Sequence, residues 1–261
     1  MTATLQLRLP DGREIPIRYP SSPLMDAVVR EVFSGAEYPR LDFIAAAGSA
    51  IVDLGANVGC SAIVFAVKYP EAVVYALEPA KDAFAFLVDN TAPFPNIRNF
   101  QIGAFDRDAS ARLFHGCGGS VTNSLFSGGL AADTPGETVQ LRRISSFLRE
   151  QNVSRIAVLK IDTEGAELPI LRDLAGHFPQ VDAIHVEFHS EADRDGHRTS
   201  PRPALCALPR PDQRSESRDS HLCRAAAGWP RIRRALAGNQ DANASRVKPL
   251  STDAVRPFAM K

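Results

Sequence analysis

The sequence predicts a doubly wound, mostly parallel α/β sheet with helices on both faces. Three observations carry that reading. From residue 50 onward, short apolar runs alternate with helical stretches: strand, turn, helix, repeated. The runs are near-continuous in Val, Ile, Leu and Ala, as strands covered on both faces are. Polar or glycine residues stand at the ends of those runs, where an open parallel sheet presents its ligand edge.

The chain has 261 residues, 44% hydrophobic and 23% charged, which is enough apolar material for a core. Apolar runs such as residues 43–47 and 156–159 fall far short of the ~20 residues that span a bilayer. The first residues lack a basic stretch followed by an apolar one, so a soluble cytoplasmic protein is expected. Cysteines at 60, 117, 206 and 223 form no closely spaced metal pair and read as reduced thiols.

Residues 1–48 read as a preface. Alternation over 5–9, turn residues Pro10-Asp11-Gly12-Arg13 and renewed alternation over 15–17 make a β-hairpin. Ser21 or Ser22 caps a helix through Met25, Val28, Val29 and Val32, with Gly35 placed to end it. A second short helical piece covers 41–47.

The main layer, 49–195, follows. A strand over 51–54 enters Gly55-Ala56-Asn57-Val58-Gly59, and a helix through Ala62–Val67 ends near Tyr69-Pro70. The next strand, 72–77, closes with Glu78-Pro79, and a helix runs through Phe84 to Val88. Residues 97–105 are a third strand and 111–114 a fourth. Residues 116–137, rich in Gly, Ser and Thr, read as an irregular insert whose Gly119–Ser124 portion can line an acceptor pocket. A strand over 139–141, a helix over 144–150 and an apolar strand over 155–161 lead to Asp162-Thr163-Glu164-Gly165. A helix over 168–174 and a strand over 183–188 complete the series. Lys160, inside an apolar strand, either points to the rim or snorkels from it.

Five strand ends therefore meet on one rim: Asp53 with its glycine turn, Glu78, Gly103-Ala104, Asp162 with Glu164, and Glu187 with His189. Gly55 permits a tight strand-to-helix turn, and Gly59 lets the helix approach strand and ligand. A dinucleotide fingerprint needs glycine where Asn57 and Cys60 stand, and no Gly-Lys-Ser/Thr follows, so neither a dinucleotide loop nor a phosphate loop is present. A nicotinamide-dependent oxidoreductase is disfavoured accordingly. The turn suits the amino-acid end of a ligand, and Glu78 is placed to accept hydrogen bonds from a ribose diol. A nucleoside bearing an amino acid and no phosphate is S-adenosylmethionine, the expected cofactor.

The segments Val52-Asp53-Leu54-Gly55-Ala56-Asn57-Val58-Gly59, Ala76-Leu77-Glu78-Pro79, Leu159-Lys160-Ile161-Asp162-Thr163-Glu164-Gly165-Ala166-Glu167 and Val186-Glu187-Phe188 resemble the FkbM-type branch of class I S-adenosylmethionine-dependent methyltransferases. The resemblance covers about residues 20–195. It implies a Rossmann-like sheet and O-methylation of a hydroxyl on a secondary metabolite, glycan or lipid-like acceptor. On the strand-end argument, Asp53, Gly55, Ala56, Asn57, Gly59, Glu78, Pro79, Gly103 and Ala104 are expected at the cofactor.

Methyl transfer to an alcohol requires alignment and removal of a proton. Asp162, Glu164, Glu187 and His189 are the candidate bases; the carboxylates equally suit a divalent cation. Glu164 and Asp162 also fit the first turn of a helix, where a carboxylate is favoured or caps.

Residues 1–195 hold 17 basic and 25 acidic side chains, which argues against a nucleic-acid surface there; residues 196–261 hold 13 and 5. That last stretch, rich in Arg, Pro and Ala, reads as disordered, as a basic arm, or as a non-native ending. Class I sheets finish with a helix and two further strands, which 196–261 do not visibly supply. The sheet is therefore expected to lack its closing strands and to leave the 183–188 strand as an open edge. A truncated, non-catalytic remnant is the alternative function.

Overall fold

The computed structural model describes residues 1–34, 37–38, 41, 48–115, 123, 125, 134–177, 181–187 and 220–224. The first strands, β1 (Thr2–Arg8) and β2 (Glu14–Pro20), form the antiparallel hairpin the alternation predicts. Its turn closes where the Leu9 N–H meets the Arg13 carbonyl at 2.7 Å. Helix α1 (Pro23–Phe33) starts with Pro23 in its first turn, and Ser22 Oγ accepts the Met25 N–H at 3.1 Å. The predicted helical piece at 41–47 lies outside the described residues, Leu41 excepted.

The central sheet takes β3 (Ala50–Leu54), β4 (Val73–Leu77), β5 (Ile97–Phe100), β9 (Ile156–Ile161), β10 (Val181–Glu187) and β11 (Ser220–Arg224) in the order β11-β10-β9-β3-β4-β5. All pairings from β10 to β5 are parallel. Helices α2 (Cys60–Lys68), α3 (Lys81–Thr91), α4 (Ile144–Glu150) and α5 (Glu167–His177) cover it. Strand order reverses between β3 and β9, so the ligand crevice of such a sheet belongs at their C-terminal tips.

Alternate residues of each strand feed two cores. Val52, Leu54, Leu77, Leu159, Ile161, Ile184 and Val186 pack with α4 and α5 residues such as Ile144, Leu148, Ile170 and Leu174. Ile51, Val74, Ala76 and Ala183 pack with Ile63 and Phe65 of α2, Leu87 of α3, Val29 of α1 and Ile17 of the hairpin. The hairpin is thus part of the second core. Asn90 fastens it: its Nδ2 donates to the Arg18 and Val58 carbonyls at 2.8 Å each, and its Oδ1 accepts the Arg18 N–H at 2.8 Å.

Two expectations change. The third strand is split at Gln101–Ile102: β5 stays in the main sheet, while β6 (Gly103–Phe105) joins β7 (Ala109–Phe114) and β8 (Gly136–Arg143) in a second sheet of order β6-β8-β7. Apolar residues on both sides of the bend gave a single run in the sequence. The edge of β10 is also not open, because β11 lies antiparallel along it from Ala183↔Arg224 to Glu187↔Ser220. An edge recruits a strand through backbone N–H and C=O groups, which every non-proline residue carries, so no apolar alternation announces it. The mostly parallel, doubly wound architecture stands, with that edge covered. Among the described residues, no helix is long and apolar enough to cross a membrane.

Candidate functional site

The bend after β3 is built by contact with its neighbours. The Gly55 and Ala56 N–H groups both donate to the Leu77 carbonyl at 3.0 Å, drawing the bend over the tip of β4. Gly55 has φ +75°, and a Cβ there would lie 1.8 Å from the Asp162 carbonyl oxygen. Gly59 has φ +93°, and its Cβ would sit 2.9 Å from Leu87 Cδ1. Both glycines are required by close approach as well as by backbone angle. Asn57 between them also has a positive φ, +49°.

Glu78 stands at the tip of β4, nearly buried. Its Oε2 accepts the Asn57 N–H at 2.9 Å and its Oε1 the Ala80 N–H at 2.8 Å. Burial pushes its pKa up to about 7; the two backbone donors and Lys160 pull against that rise. Sequence reasoning put Asp53 and Glu78 at one rim, and the Asn57 bond joins Glu78 directly to the turn that follows Asp53.

Asp53 itself lies inside the sheet. It is fully buried, with Ser61 Oγ donating to its Oδ2 at 2.6 Å and Lys160 Nζ 3.2 Å from its Oδ1. Its side chain points to the α2 face of the sheet, and its effect on the rim passes through the groups it holds.

Those groups form a polar row. Asp53, Lys160 and His185 are register partners across β3, β9 and β10, all three buried. Lys160 Nζ also donates to the Gly55 carbonyl at 2.7 Å and lies 3.5 Å from Asp162 Oδ2. Burial favours the neutral amine, but the charges of Asp53 and Asp162 outweigh it, and the Lys160 pKa is raised. Tyr38, from the preface, covers the row with its ring 4.8 Å from that of His185 and 5.2 Å from Phe65. Its carbonyl accepts from Lys68 Nζ. Beside it, burial raises the Glu37 carboxyl, against the Tyr38 hydrogen bond and the nearby Lys160 charge; the Glu187 charge adds to the rise.

The Asp162–Gly165 segment forms the facing wall. The Asp162 N–H donates to the Leu54 carbonyl at 3.1 Å. Glu167, fully buried at the start of α5, gathers the turn: its Oε1 accepts from the Thr163 N–H at 3.2 Å, Thr163 Oγ1 at 3.2 Å and the Gly165 N–H at 3.0 Å. Glu164 is held at φ +53°, a position that favours glycine or asparagine, in the turn beside the proposed chemistry. The side chains of Asp162, Glu164 and Glu187 are partly exposed.

Of the predicted residues, Gly55, Ala56, Asn57, Gly59, Glu78 and Pro79 surround one bend, Asp162 lies against it, and Glu164 follows two residues on in the same turn. Gly103 does not end a strand of the main sheet as expected; it begins β6, 3.5 Å (as a Cβ position) from Pro79 Cβ, with Ala104 buried behind. His189 lies outside the described residues, as does the 119–124 insert apart from Asn123. Among the described residues, no group of three or more His, Cys, Asp or Glu is arranged to hold a metal ion. Sequence reasoning missed Glu37, Tyr38 and Ser61, and named Glu167 only within the resembling segment, without a role. A usable signal existed only for the row: Lys160 within an apolar strand must find a buried partner.

A doubly wound sheet with a two-glycine bend at its switch point and a carboxylate at the next strand tip defines an α/β protein whose ligand crevice lies at that switch point. More specifically, the chain belongs to the methyltransferase FkbM domain family, whose model matches residues 53–204. It is 33% identical over 159 residues to "Methyltransferase 1" of Beauveria bassiana, covering 53% of this chain and 64% of that protein, a little under two thirds. It is 28% identical over 220 residues to the 31-O-demethyl-FK506 methyltransferase FkbM of Streptomyces tacrolimicus, covering 73% and 82%. Among solved structures it is similar to the putative methyltransferase yhhF from Escherichia coli, with 17% identity, a TM-score of 0.44 and coverage of 84% and 97%.

Proposed function

We propose that the chain is an S-adenosylmethionine-dependent methyltransferase acting on a hydroxyl of a secondary metabolite, glycan or lipid-like acceptor. The observation that carries the cofactor is the Glu78 carboxylate clamped into the glycine bend. Each of its oxygens accepts one backbone N–H and keeps a further lone pair, as two diol hydroxyls require. The residues fit the group: the bend lacks the glycines and lysine that a phosphate needs, while a fixed carboxylate faces the turn. The Streptomyces relative is named for O-methylation, which supports a hydroxyl acceptor here. The acidic balance of residues 1–195 favours a small or glycan-like acceptor over nucleic acid.

The cofactor, when bound, supplies a methyl group on a sulfonium whose leaving group departs neutral. The protein's part is orientation and proton removal. Gly55, Ala56, Asn57 and Glu78 hold the donor side. Asp162, with Glu164 and Glu187, presents carboxylates at the tips of β9 and β10, where an acceptor hydroxyl can give up its proton. The test is calorimetric titration of the full chain and of Glu78→Ala with S-adenosylhomocysteine, followed by transfer of labelled methyl to a panel of hydroxylated acceptors. Binding by the wild type and its loss in Glu78→Ala is expected; equal binding by both would remove this site.

A further inference from the structure

The rim has a component that the cofactor reading leaves unused: the buried ammonium of Lys160 at the point where strand order reverses. Its three oxygen neighbours belong to three functions. The Gly55 carbonyl at 2.7 Å is the first residue of the cofactor bend. Asp162 Oδ2 at 3.5 Å is the candidate base. Asp53 Oδ1 at 3.2 Å is the countercharge, itself fixed through Ser61 to the first turn of α2. Backbone contact reinforces the link, since the Asp162 N–H donates to the Leu54 carbonyl and no atom fits between Gly55 Cα and the Asp162 carbonyl.

A lysine inside a parallel strand is costly unless paired, and an aliphatic residue would fill β9 without that cost. Nor does Asp53 explain it, because Asp53 is equally buried and would also be dispensable to a purely apolar layer. What neither apolar residue could do is hold a carbonyl and a carboxylate on opposite walls of one crevice. We infer that Lys160 is a positioning residue for methyl transfer, its ammonium locking the cofactor bend at Gly55 to the acceptor-side carboxylate of Asp162. Donor and acceptor loops are then set at one distance before either ligand arrives. The inference rests on the proposed function for what the two loops hold, and on geometry alone for the lock.

The experiment uses the full chain with Lys160→Met, and with Lys160→Met combined with Asp53→Asn, which removes both buried charges together. Three quantities are read: melting temperature, affinity for S-adenosylhomocysteine, and hydrogen exchange of peptides covering 54–60 and 162–167 without ligand. Lys160→Met alone is expected to melt lower, since it strands Asp53. The double variant is expected to recover most of the melting temperature, yet to exchange both loop peptides at least ~10-fold faster and to bind ~10-fold more weakly. Lys160→Gln, which keeps an N–H donor for Gly55, carries the comparison should the double variant not fold; its affinity is expected between wild type and Lys160→Met.

A double variant with wild-type exchange in both loops and wild-type affinity would overturn the inference and leave Lys160 a mere countercharge. A wild type that does not bind S-adenosylhomocysteine would instead sink the proposed function, and the exchange data would still decide whether Lys160 locks the loops.

Discussion

Glu78→Gln is the sharpest test of the site, because the substitution keeps the shape of the carboxyl, removes its titration and leaves only one oxygen to accept a backbone N–H. Folding raises this pKa from its ordinary 4.5 to about 7, burial being the main cause. At about 1.4 kcal/mol per tenfold, ionised Glu78 then costs the folded state about 3 kcal/mol relative to the unfolded chain. The sign follows from a raised pKa in the folded state. The favourable contribution is complete below pH 4.5 and is lost as pH rises through about 7. Urea unfolding of wild type and Glu78→Gln at several pH values from 4.5 to 8 should therefore show a difference that shifts toward the variant by up to about 3 kcal/mol. Binding runs the other way. A carboxylate accepts both hydroxyls of a diol, so wild-type affinity for S-adenosylhomocysteine should rise through about pH 7 and that rise should vanish in the variant. Identical pH dependence of stability in the two proteins would refute both the burial argument and the clamp.

Three further outcomes are expected. Gly55→Ala puts a methyl against the Asp162 carbonyl at a positive φ and should destabilise by at least about 3 kcal/mol or abolish soluble expression; a wild-type melting curve would contradict the close approach. Tyr38→Ala removes a buried ring from over His185 and Phe65 and should cost about 3 kcal/mol in denaturant unfolding, with faster hydrogen exchange at the end of β10. Ser22→Ala removes the cap of α1 and should cost about 1 kcal/mol by thermal melting, leaving cofactor affinity unchanged.

The glycine bend and the carboxylate beside it were legible because their features are local. Two glycines four residues apart and a carboxylate at the end of the following strand can each be read within a few positions, and the structure joins them through the Asn57 N–H. The place of Asp53 at the end of β3 was legible, but the face it takes was not. A strand residue points to one face or the other, and which face holds α2, with Ser61 waiting on it, is settled by packing. The split of the 97–105 run was hidden for a similar reason: Phe100, Ile102 and Phe105 are all apolar, so the pattern does not record that the chain changes sheet between them.

Local pattern alone determined the alternation of apolar strands and helices, the parallel layer, the hairpin with its capped helix, and the glycine bend beside Glu78. Each depends on a spacing of a few residues and on side-chain chemistry that the chain carries with it. Tertiary structure decided which strands are neighbours, and hence that Asp53, Lys160 and His185 share one row under a tyrosine from the preface. It also decided that a strand of unremarkable composition covers β10. Backbone pairing is blind to side chains, and contacts between residues a hundred positions apart leave no period in a sequence.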